Sequence, residues 1–207
     1  MLGFYESFPK NVHKITHFKV SVSKKRLQRA LTQILHKLNN ETFSLEDVTH
    51  PSVPQCTVVF EFGIANEANF NYLDEKETNK ALKVINKKPF KIMDFFCAIR
   101  YYKTENKKKT PLKFDYYMPR FMFNKKSTEI QVFHERGPRH VSPEEIVNFV
   151  VNKINEKFSR KILKVITASQ TVFSKNPRTT VRILSATSCL DLFPSILTSS
   201  PFSTNFT

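Results

Sequence analysis

Glycine is nearly missing from this chain: Gly3, Gly63 and Gly137 are the only three among 207 residues. A P-loop or a dinucleotide fingerprint needs several glycines close together, so that backbone can wrap a phosphate. Those classes are excluded. Tryptophan is absent and cysteine is limited to Cys56, Cys97 and Cys189. They form no Cys-x-x-Cys pair and no Cys/His run at zinc spacing, so neither a disulfide framework nor a metal or other cofactor is expected. Cys56 and Cys97 lie in apolar, strand-like runs, where a reduced, buried thiol is the ordinary outcome. The first residues lack the basic and apolar regions of a signal peptide. No stretch reaches the roughly 18 uncharged apolar residues of a membrane span; residues 183–197 come nearest and are interrupted by Asp191 and Pro194. A reducing cytoplasmic setting with no membrane contact is the expectation. Serine-hydrolase, zincin and EF-hand motifs are also missing.

Acidic residues are scarce, 18 against 33 Lys and Arg, and the net charge is +15. Such a surplus attracts polyanions over long range, nucleic acid above all. It also follows from a Lys-, Asn-, Ile- and Phe-rich composition with no binding role, and Arg is the more telling residue for phosphate. The 20 Phe supply core area that a hydrophobic fraction of 40% would otherwise leave thin.

The pattern along the chain predicts an α+β fold. Residues 13–22 read as a strand. Leu27, Ala30, Leu31, Ile34, Leu35 and Leu38 make one stripe of a helix from Lys24 to Leu38, with Ser23 as its N-cap. Residues 41–56, with Pro51 and Pro54, read as a loop. Residues 57–64 and 69–73 form a hairpin, and Asp74 with Glu77 opens a helix to about Lys87. Three long strands follow at about 90–103, 112–123 and 128–136, joined as antiparallel hairpins. Pro119 inside the second implies a bulge or a position the ladder does not need. Ser142-Pro143-Glu144-Glu145 then starts a third helix. The order β-α-β-β-α-β-β-β-α indicates a mixed, mainly antiparallel sheet with helices packed on it. One domain spans 1–164. Residues 165–207, rich in Ser and Thr and poor in charge, read as a disordered tail or a non-native extension.

The candidate site residues lie on the three-stranded meander. Pairing Arg100 with Asp115, and Phe121 with Ile130, sets Asp115 between Arg100 and Arg136 on one face, with Tyr117 and His134 as the next rung. Such a cluster suits an anionic group, with His134 and Asp115 as weak catalytic candidates; equally, it is a satisfied cross-strand ion network. A one-residue slip would exchange the faces. The hairpin tips are basic, with Lys107, Lys108 and Lys109 at one and Lys125 and Lys126 at the next, and Arg139 follows the third strand. Tyrosines 101, 102, 116 and 117 stand nearby. Basic turns beside aromatic platforms are one way to hold a single strand, and charged turns also guard sheet edges.

Three readings follow. The preferred one is a non-catalytic module for nucleic acid or another polyanion. The second is a structural or interaction subunit, with the meander as a homodimer or partner surface. The third is an enzyme centred on Asp115, His134 and Arg136.

Overall fold

The computed structural model describes residues 2–39, 41–50, 56–105 and 108–167. Their elements are β1 (Gly3–Phe4), β2 (Lys14–Val20), α1 (Lys24–Leu38), β3 (Thr42–Ser44), a 3-10 turn (Leu45–Asp47), β4 (Cys56–Asn66) and β5 (Asn69–Tyr72). Then come α2 (Glu75–Lys87), β6 (Ile92–Glu105), β7 (Lys108–Phe123), β8 (Ser127–Arg136), α3 (Pro143–Lys157) and β9 (Leu163–Val165). Among the described residues the strands form one antiparallel sheet in the order β1-β5-β4-β6-β7-β8-β2-β9, with β3 added beside β4. The fold is α+β, as the sequence order indicates.

Each helix begins where local chemistry starts it. Ser23 accepts the Arg26 N–H, and Asp74 accepts the Glu77 N–H at 2.7 Å. Ser142 and Glu145 form a reciprocal capping box with Pro143 at the first position. α1 and α3 bury their stripes against one sheet face, and α2 packs along α1. Phe149 of α3 stacks on Phe60 of β4 at 5.0 Å, and Phe60 stacks on Phe62. Two buried amides tie the layers: Gln28 bonds both backbone groups of Phe90, and Asn39 bonds the N–H and C=O of Phe62. Each is an amide meeting a backbone donor and acceptor at once, which leaves no buried polar group of that pair unsatisfied.

Three features depart from the sequence expectations. The segment expected as a loop over 41–56 contains β3 and the 3-10 turn. The boundary expected after residue 164 falls inside β9, which pairs with β2, and Ile166 N–H still reaches the His17 carbonyl. The remainder of the expected tail, 168–207, lies outside the described residues. The polar turn expected at 104–111 is largely strand, with Glu105 already paired to Lys108. Of the two alternatives at Pro119 the bulge does not form, since Pro119 stands opposite Val132 in continuous register. The β6–β7 ladder instead skips from Asp94–Arg120 to Cys97–Tyr117. Proline has no N–H to donate there, so the position is one the ladder leaves out.

Among the described residues no helix packs on the second sheet face. The N-terminal segment crosses part of it. Leu2 and Tyr5 N–H groups bond the Phe70 and Ala68 carbonyls, and the Tyr5 hydroxyl donates to Asp94. Arg120 clamps the same Asp94 carboxylate at 2.7 and 2.8 Å and lies over the Phe8 ring at 4.2 Å.

Candidate nucleic-acid interface

The register decides which meander residues meet. Ile99 pairs with Asp115 and Arg100 with Phe114, one residue from the expected pairing. The early closure of the hairpin at Glu105–Lys108, followed by a bulge between Arg100 and Tyr102, produces that slip. At the next hairpin Phe121 does stand opposite Ile130, and Tyr117 opposite His134. A second bulge then brings Arg136 against Tyr116 instead of Asp115. A side-chain period of two turns each one-residue offset into a change of face. Asp115, Tyr117 and His134 therefore point toward the helices, and Arg100 and Arg136 point away from them. The expected Arg100–Asp115–Arg136 cluster does not form.

Asp115 is fully buried and receives four donors. Tyr101 Oη lies at 2.6 Å and His134 Nε2 at 3.1 Å. The backbone N–H groups of Arg139 and His140 lie at 2.6 and 3.0 Å. Tyr101 in turn accepts the Val141 N–H, and the Tyr117 hydroxyl donates to the Val141 carbonyl. Burial, then the neighbouring Asp115, pushes both phenols well above their ordinary range. A carboxylate has about four lone-pair directions, and here all are taken. The cluster fastens the link from β8 to α3 onto the sheet and offers no free oxygen to a substrate. Among the described residues no set of three or more His, Cys, Asp and Glu side chains is grouped for a metal ion.

The open face holds a different arrangement. Phe96, Tyr116 and Phe114 follow one another across β6 and β7, with centroids 5.7 and 6.3 Å apart, and the latter pair is stacked. Arg136 sits over Tyr116 at 4.5 Å and Arg100 over Phe114 at 5.5 Å. The Arg100 guanidinium also holds Glu61 at 2.9 Å, and that bond leads its pKa upward. These residues, with Met118 and the N-terminal segment at Phe4–Ser7, line a groove of about 550 Å³. Phe114 remains 41% exposed and Leu112 beside it 49%. Glu6 and Glu135 also border the groove, so with Glu61 its lining carries three carboxylates against the two guanidinium groups. Lys109 and Lys113 are exposed on the strand that carries Phe114, and neither lines the groove.

The remaining candidates separate. Lys125 and Lys126 are exposed at the opposite end of β7. Lys107 lies outside the described residues, and Lys108 is placed as the strand residue opposite Glu105. Arg139 has a left-handed backbone (φ 57°) in the β8–α3 link, where its N–H serves Asp115. Tyr117 is core. Phe96 and Phe114, central to the groove, were not singled out by sequence. The available signal was alternation: once Tyr101 and Tyr117 face inward, Phe96, Phe114 and Tyr116 must face outward. The chain matches no protein-family model, no curated protein and no solved structure.

Proposed function

We propose that this chain is a non-catalytic module that binds single-stranded nucleic acid across the open sheet face. The observation that carries the reading is the row Phe96–Tyr116–Phe114 with Arg136 and Arg100 lying over two of its rings. Aromatic rings on a solvent-facing sheet stack bases regardless of their identity, and Arg adds cation–π and phosphate contact. The exposed lysines at 109 and 113 extend positive charge along the same strand, and the net charge of +15 favours encounter. The enzyme reading loses its basis, because Arg136 faces away from Asp115 and His134.

The test is a titration of labelled single-stranded and duplex oligonucleotides at several salt concentrations. The reading expects micromolar or tighter single-strand binding, a clear preference over duplex and a negative log K against log salt slope. Equal affinity for both forms, or no binding at low salt, would overturn it. A partner protein docking on the same face is the second reading, favoured by Phe4, which projects beside the groove at 83% exposure. It would be supported by self-association or partner capture that Phe4→Ser abolishes.

A further inference from the structure

A second cationic site lies on the helix layer, on the far side of the sheet from the aromatic groove. The N-terminal half of α1 and the turn after α3 border a shallow, open recess of about 570 Å³, lined by Arg26, Arg29, Gln33, Lys157, Ser159 and Arg160 among others. Its ionisable lining is entirely basic. None of these four cations is ion-paired to a described carboxylate.

Two guanidinium groups are already held in place by uncharged partners. Arg26 lies over the Phe158 ring at 5.0 Å, and Arg29 donates to the Asn86 side-chain oxygen of α2 at 2.7 Å. The turn that carries Arg160 is pinned at both ends. Phe158 and Ser159 N–H groups close on Asn155 and Glu156 carbonyls, and the Asn155 side chain accepts the N–H groups of Ile162 and Leu163. Ser159 adopts a left-handed backbone (φ 50°) within it, a conformation that non-glycine residues hold only when their surroundings fix it. Helix ends contribute in both senses. α1 opens with no acidic residue in its first turn, leaving its positive end uncompensated. The negative end of α3 is offset by Lys157 in its last turn and by Arg160 beyond it.

We propose that this recess binds a compact ligand carrying two or more phosphate groups. Unpaired, positioned arginines match phosphate oxygens in charge and in bidentate geometry, and the volume is that of a small-ligand site. The site is independent of the sheet-face reading.

The experiment is calorimetric titration of the full chain with inorganic tripolyphosphate at near-physiological salt. A saturable one-to-one isotherm is expected, weakened at least about tenfold in the double variant Arg29→Gln/Arg160→Gln. Both side chains are exposed, so thermal unfolding should be unchanged; Lys157→Gln serves as a second variant should it not be. The exposed Lys76→Gln on α2 gives the non-specific charge effect, and Phe114→Ala/Tyr116→Ala should bind tripolyphosphate as the parent does. Vesicles of phosphatidylcholine, with and without a bis-phosphorylated inositol lipid, identify the source. Retention on doped vesicles that Arg29→Gln/Arg160→Gln abolishes means a lipid headgroup. Tripolyphosphate binding without retention means a free phosphorylated molecule. An unsaturable titration, or a double variant no weaker than Lys76→Gln, would overturn the proposal. So would displacement of tripolyphosphate by a single-stranded oligonucleotide, which would make the recess part of a nucleic-acid track.

Discussion

Tyr101 and Asp115 meet hydroxyl to carboxylate at 2.6 Å across adjacent strands, and neither is open to solvent. The carboxylate also takes the N–H groups of Arg139 and His140, so one side chain fixes the chain where it leaves β8 and heads for α3. Asp115→Asn puts an NH₂ group where donors converge and leaves buried donors unmet. It should cost about 3 kcal/mol. For a chain of this size, that is a fall of about 6–12 °C in Tm by calorimetry.

Gly137 belongs to the same assembly. Its φ is +118°, and a Cβ there would press into the Asp115 carboxylate and the Phe114 carbonyl. Gly137→Ala should destabilise the fold by about 2 kcal/mol in urea unfolding. A neutral outcome would mean that the link can relax away from Asp115.

The N-terminal segment has a signature at alkaline pH. Burial, then its hydrogen bond to Asp94, pushes the Tyr5 phenol up to about 12. The unfolded chain releases that proton near 10, before the folded one, so the native state holds more protons between roughly pH 10 and 12. Stability from this group is complete below about pH 10 and declines as pH rises through that window. Tyr5→Phe should remove this part of the decline, at a cost of about 1 kcal/mol at neutral pH.

His13 acts in the acid direction. Its Nδ1 accepts the His134 N–H at 3.0 Å, a role open only to an unprotonated nitrogen. Desolvation, then the charges of Arg139 and His134, holds its pKa below the ordinary value of 6.5. The unfolded chain takes up the proton first, so stability is full above about pH 6.5 and falls as pH drops below it. Chemical denaturation between pH 7.5 and 5.5 should show a shallower loss in His13→Asn than in the parent chain.

The elements were readable because their signals are local. The stripe from Leu27 to Leu38 and the Ser142–Glu145 capping box each lie within a few turns of chain, and both helices stand where they were expected. The second hairpin was readable too, since its turn alone sets Phe121 against Ile130. The site was harder. Two bulges, one between Arg100 and Tyr102 and one between Tyr116 and Tyr117, move residues between faces; Pro111 borders the first and Gly137 follows the second, but neither residue tells which position is doubled. Pro119 drew attention, yet it only interrupts the ladder. The short strands β3 and β9 have three residues each; β4 and β2 hold them through pairing, which no propensity in so short a run announces.

Nucleic-acid binding across the open sheet face depends on the rings of Phe114 and Tyr116 stacking nucleobases. The most direct measurement compares Phe114→Ala/Tyr116→Ala with the parent chain in the oligonucleotide titration, at four or more salt concentrations. Loss of stacking should weaken single-strand binding by at least about tenfold, at about 1–3 kcal/mol per base, with the salt slope unchanged because no phosphate contact is removed. Unchanged affinity in a folded double variant would contradict the account and leave the open sheet face to a partner protein.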